Sequence, residues 1–266
     1  MTKLVRRPAH WALLAVAVAL GLTFGYFIPL AGVTGAAQGV PNSERGLDAI
    51  LPGELVGNSL GGLPVFLGAI LLVLGALAIG GEYGWGTWKT VLTQNPSRLA
   101  VLGGKLAALA AAALGFVVTL FVTGAVTSAA IAAAEGEPIA WPSAADLVVG
   151  LGAGWLIALM WAALGALLAV ALRGLALPIG LGLVWVLVVQ NLVISLAAPL
   201  LGWVDAARLW LPGDNAGSLA ASLGAQADTP GVAELAGSGR ATLMVAAYAC
   251  VFAGLAAWLL RRRDVL

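Results

Sequence analysis

Six long stretches of this sequence lack Asp, Glu, Lys, Arg and His altogether: Trp11 to Val33, Val56 to Gly80, Leu106 to Ala134, Leu147 to Leu172, Leu175 to Ala198 and Ala241 to Leu260. Residues of those types relay protons and bind coupling ions inside a bilayer, so their absence argues against an ion-driven pump. Cysteine is as scarce. Cys250 stands alone in an apolar stretch, which rules out an intrachain disulfide and leaves metal or redox chemistry without a ligand set. Charge of one sign is also missing. The 266 residues carry 13 Lys and Arg against 12 Asp and Glu, and the basic ones sit in flanks rather than along one face, so nothing favours nucleic acid as a partner. Gly104-Lys105 lacks the companions of a phosphate-binding loop, because Leu99 and Leu106 stand where Gly and Ser or Thr are needed.

What is present is apolar. Hydrophobic residues make up 61% of the chain, and the mean hydropathy is +1.02. That is more apolar surface than a soluble core of this length uses, so the bilayer is the solvent. Each charge-free stretch is near the roughly 20 residues that cross a hydrocarbon core about 30 Å thick. The expectation is an all-α membrane protein of six transmembrane helices, residues 1–266 forming a single transmembrane domain. The first stretch follows Lys3, Arg6 and Arg7 as a signal peptide does, but it runs well past a signal core of about 7 to 15 residues and reads as a retained helix.

Basic residues favour the cytoplasmic side. With both termini inside, Lys3, Arg6, Arg7, Lys89, Arg98, Lys105, Arg173 and Arg261 to Arg263 are cytoplasmic, and only Arg45, Arg208 and Arg240 lie outside. Ten acidic residues fall outside, and only Glu82 and Asp264 remain in the cytoplasm. The loop from Thr34 to Leu55 is expected outside without much regular structure, and Pro212-Gly213-Asp214-Asn215 reads as a turn in the largest outer segment.

The segment Gly81 to Lys105 concentrates charge, tryptophan and turn chemistry. A helix over Tyr83 to Gln94 puts Trp85, Trp88 and Leu92 on one face and Thr87, Thr90 and Gln94 away from it. Asn95-Pro96-Ser97 then stops it, with Ser97 available to cap the next helix. Such a helix lies on the headgroups, docks on a partner, or does both.

Three further features carry two readings each. Gly57-Asn58-Ser59-Leu60-Gly61 matches the G-x-S-x-G of serine hydrolases, but His10, the only histidine, belongs to the opposite end of the first stretch, about a bilayer thickness from Ser59. Gly150, Gly152, Gly154, Gly165, Gly180 and Gly182 permit close helix approach, either within the chain or between two copies. Gln190 and Asn191, the most polar pair deep in any span, have two uses open to them: a hydrogen bond to a neighbouring helix or a contact with cargo.

Glu82, three residues, Gly86-Thr87, then Leu92, Pro96, Arg98 and Lys105 resemble the E-x-x-x-G-T, L, P, R, K run of type-2 ABC-transporter permeases. Here a single residue, Ser97, separates Pro96 from Arg98, where relatives often have two. Leu211-Pro212 and the ending Arg262-Arg263-Asp264-Val265 are similar to that family as well. The resemblance implies a membrane subunit of an ABC exporter, paired with a second permease copy, identical or not, and with two separate ATPase subunits that hold ATP and Mg. No catalytic residue and no cofactor is then expected in this chain. It also implies that Glu82, Trp85, Gly86, Thr87 and Trp88 belong to a short cytoplasmic coupling helix between the second and third spans, closed by Pro96 and Arg98. The short basic start before the first span tilts the expected cargo toward a drug, a peptide or a lipid-like molecule. The alternative from a different class is a non-transporting membrane scaffold or assembly factor.

Overall fold

The computed structural model describes residues 8–37, 39–84 and 98–262, the side chains of 82–84 and 98 excepted. Among them all regular structure is helical. The first span joins α1 (Pro8–Leu22), a π-wound turn (Thr23–Phe27) and α2 (Ile28–Val33). The second is α3 (Leu55–Gly61) followed by α4 (Phe66–Gly84), and α5 (Arg98–Glu135) and α6 (Ala144–Leu172) are the third and fourth. The fifth runs from α7 (Ala176–Leu183) through a π-wound stretch (Val184–Val193) to α8 (Ile194–Ala197). Two short helices, α9 (Gly202–Arg208) and α10 (Pro212–Ala221), precede α11 (Ser238–Arg262).

Five of these helical stretches are each long and apolar enough to cross a membrane, and the bent pair α3 and α4 makes a sixth when counted as one span. The pair is bent by 54° because Gly61-Gly62 weakens the helix and Pro64 offers no N–H to continue it. Hydrogen bonding resumes across the break, Leu67 N donating to Gly62 O at 2.9 Å and Ala69 N to Val65 O at 2.8 Å.

Helix α6 is central, packed against α4, α5 and α11. It starts cleanly because Ser143 Oγ accepts from Asp146 N at 3.1 Å, and it ends where Arg173 adopts a left-handed conformation with φ of 51°. The approach of α4 to α6 is set by glycine: a methyl at Gly75 would sit on the Ala162 carbonyl, and one at Gly165 on the Leu72 carbonyl. Trp161, wholly buried, fills the space beside Gly68. The fifth span is peripheral, with Leu177, Leu181, Val184 and Val188 facing outward as lipid-facing residues do.

Helix α5 begins at Arg98, where the Asn95-Pro96-Ser97 stop places the start of the next helix, and it takes in Lys105 ahead of the apolar stretch, its Nζ donating to Ala78 O at 3.1 Å. At roughly 1.5 Å per residue the 38 residues of α5 exceed a bilayer core about 30 Å thick. Other details depart from the sequence reading. The Pro212 to Asn215 turn is the start of α10, since Pro fits a first helical turn where its missing N–H costs nothing. The loop after the first span contains two 3-10 turns, Asp48–Ile50 and Pro52–Glu54, with Ile50 fully buried. Gly150 and Gly154 pack within the chain, against Val56 and Phe121 and against Leu60 and Val117, as do Gly165 and Gly182. Gly152 and Gly180 meet nothing within 4 Å.

Candidate functional site

Two regions at opposite ends of the helices carry the polar chemistry. At the end shared with the termini, Glu82 falls in the last turn of α4 and Arg98 opens α5. Trp85, Gly86, Thr87, Trp88 and Pro96, with the rest of the expected coupling helix, lie outside the described residues. The base from which that segment springs is tightly joined. Lys105 ties α5 to α4, and the backbone at Gly80 approaches Gly174, in the turn between α6 and α7, closely enough that a Cβ would come within 2.5 Å of the Gly174 carbonyl.

At the distal end, segments remote in sequence converge. Arg45 forms a bidentate pair with Asp228, Nη2 to Oδ1 at 2.7 Å and Nε to Oδ2 at 2.9 Å, and also donates to Thr229 Oγ1 and Asn42 Oδ1. A methyl at Gly57 would meet the Gly224 carbonyl, and one at Gly217 the Gly231 carbonyl. These contacts clamp the loop after the first span and the segment after the fifth over α3.

Under this clamp lies a cavity of about 270 Å³. Its floor is apolar, formed by Leu20, Phe24, Phe66, Leu67 and Leu120, and its polar wall comes from Tyr26, Asn58, Ser59 and Thr123. Asn58 Nδ2 donates to Ala49 O at 2.7 Å, which fixes its amide. Ser59, 7% exposed, has a hydroxyl with no hydrogen-bond partner, and the Tyr26 hydroxyl lies beside Asn58 without a well-aligned bond. Gly124 of α5 makes room for both, since a Cβ there would be 2.9 Å from the Tyr26 hydroxyl and 3.5 Å from Ser59 Oγ. Leaving such a group buried and unpaired costs about 1–3 kcal/mol, which marks this wall as unusual.

The serine-hydrolase pattern dissolves in this geometry. Gly57 and Gly61 pack against Gly224 and Thr229, and Ser59 lies on a helix rather than at a strand-to-helix elbow. No histidine lines the cavity.

Gln190 and Asn191, neighbours within the π-wound stretch, have different surroundings. Gln190 is buried with its amide against Gly213, at the start of α10, and its Oε1 has no hydrogen-bond partner. Asn191 is half-buried, its carbonyl accepting from Ser195 Oγ. Neither lines the cavity. Beside Gln190, Asp214 accepts from Arg208 Nε at 2.9 Å. Burial raises the Asp214 pKa above the usual aspartate value, and the Arg208 hydrogen bond and charge offset only part of that.

The cavity wall was not singled out as a site from the sequence. The usable signal was polar residues within charge-free stretches, Tyr26, Asn58, Ser59 and Thr123, each in the half of its span away from the termini.

The helices, their lipid-facing surfaces and their length define a multi-pass, all-α membrane protein. The family described as ABC-2 family transporter protein matches residues 1–189 of the 266, and the chain belongs to that family. It is thus a membrane component of an ABC transporter, a component distinct from the ATPase, and membership implies association with an ABC ATPase subunit and the bilayer. The matched region ends one residue before Gln190. No curated protein matches the chain.

Proposed function

We propose that residues 1–266 form one permease domain of an ATP-driven exporter in the cytoplasmic membrane, with both termini in the cytoplasm. It pairs with a second permease copy, and the ATPase partners hold ATP and Mg. Cargo of drug, peptide or lipid-like type crosses by alternating access. The observation that carries this reading, beside family membership, is the absence of Asp, Glu, Lys, Arg and His from the six stretches named above. A transporter without proton or ion relays takes its energy from a partner.

Contact with that partner is assigned to the segment around Glu82, Trp85, Gly86, Thr87, Trp88, Pro96 and Arg98. Support comes from its base: α4 and α5 are joined by Lys105, and α4 is packed on the turn between α6 and α7, so a displacement of the segment is passed to the second to fifth spans together. Gln190 serves as a contact between the fifth span and α10.

The test is a gentle pulldown of the tagged chain from its native membrane, with mass spectrometry of what accompanies it. An ABC ATPase is expected with the wild type and about tenfold weaker retention with Trp88→Ala, the loss typical of a central interface tryptophan, and a smaller loss with Glu82→Ala. If no ATPase is recovered under conditions that preserve other membrane complexes, the exporter reading fails.

A further inference from the structure

We propose that the distal cavity is a binding site for a single-chain amphiphile with a small uncharged head group, entered sideways from the bilayer between the first span and the bent second span. Phe24 and Phe66 both line the cavity and are 43% and 41% exposed, so they form its boundary with the lipid-facing surface. Their rings stack at 6.4 Å with planes 9° apart, a contact between two helices that side-chain rotation alone can open.

Besides the phenylalanines the lining combines the apolar side chains of Leu20, Leu67 and Leu120 with the polar residues Tyr26, Asn58, Ser59 and Thr123, and the Ser59 and Tyr26 hydroxyls are buried beside Gly124. An apolar chain satisfies the leucines. A hydroxyl, ester or amide satisfies the polar residues, giving the buried Ser59 Oγ the hydrogen bond it lacks.

Charge selects the head group. Among the described lining residues, Arg45 and Asp228 alone are charged, and they neutralise each other in a bidentate pair whose arginine side is 7% exposed. An ionised head would enter an apolar space without a counter-ion, which is strongly unfavourable. The cavity volume of about 270 Å³ lies just below the roughly 300–1,000 Å³ of small-molecule sites, which suits a head group and the first part of a chain whose end leaves between the phenylalanines.

The proposal concerns binding and stands apart from the exporter reading, so its test needs no transport and no ATPase. The full-length chain in nanodiscs is photolabelled with a monoacylglycerol carrying a diazirine in its chain, and labelled peptides are mapped. Labelling is expected near Phe24, Phe66 and Leu120, competed by plain monoacylglycerol but not by an equal concentration of fatty acid anion or alkyltrimethylammonium. Thr123→Phe, which fills the cavity, and Phe66→Ala, which removes one side of the entrance, are both expected to abolish site-specific labelling. Ser59→Ala is expected to weaken competition roughly fivefold, the worth of one hydrogen bond. Labelling spread over all lipid-facing helices without competition, equal competition by charged amphiphiles, or unchanged labelling in folded Thr123→Phe would each overturn it.

Discussion

Glycine 165 shows how much depends on single atoms. Its missing side chain lets α6 approach the Leu72 carbonyl of α4, and no rotamer change elsewhere makes room for a methyl against backbone. Gly165→Leu is expected to destabilise the protein by at least about 2 kcal/mol, whereas Gly152→Ala, with nothing within 4 Å, should stay within about 0.5 kcal/mol. Thermal unfolding in detergent separates the two. Asp214 carries a pH dependence at the same scale. Because its native pKa is raised, the ionised form costs stability at neutral pH, and that cost disappears as pH falls through the native pKa toward the ordinary aspartate range. Asp214→Asn should therefore be at least as stable as the wild type at neutral pH, with the difference closing on acidification. A destabilised variant at neutral pH would show that the pairing with Arg208 outweighs burial.

Among the elements, the distal clamp is the most testable. Arg45 joins Asn42 on its own loop to Asp228 and Thr229, 183 and 184 residues away, and Asp228 is 47% exposed, so removing the arginine strands no buried carboxylate. Arg45→Ala is expected to cost about 1 kcal/mol and to raise amide exchange about fivefold in residues 41–46 and 226–232, leaving α4 and α6 unchanged. Hydrogen exchange with mass spectrometry reads this directly, and uniform loss of protection would instead assign the clamp to global stability. Such a pair was illegible in the sequence, where Arg45 and Asp228 were two of several charges assigned outside. The same limit hid the bend at Pro64 and the burial of α10: turn residues signal an interruption, and whether it becomes a loop, a kink or a helix start depends on what packs against it.

For the whole molecule, the bilayer position is framed by two tryptophan and arginine pairs. Arg240 lies 5.4 Å from the Trp210 ring near the start of α11, and Arg262 lies 4.7 Å from Trp258 at its end. The residues from Arg240 to Arg262 rise about 33 Å, close to a hydrocarbon core of about 30 Å. Orientation is tested in a Cys250→Ser background with single cysteines replacing Ile139, Leu200 or Thr93. A membrane-impermeant maleimide should label the first two in intact cells and the third only after permeabilisation; the opposite pattern would invert the topology.

The sequence by itself determined that this is a helical membrane protein and where its spans fall, because the cost of placing charge in hydrocarbon is local and is read one stretch at a time. The resemblance to type-2 permeases, carried by the residues around Glu82 to Lys105, also stood in the sequence, and family membership bears it out. The tertiary structure decided the rest of what is described: that Gly150 and Gly154 pack within the chain, that Gln190 meets Gly213, and that Ser59 faces a cavity instead of a catalytic base. Those outcomes depend on which distant side chains share a space, and close packing settles that only when all the helices are in place.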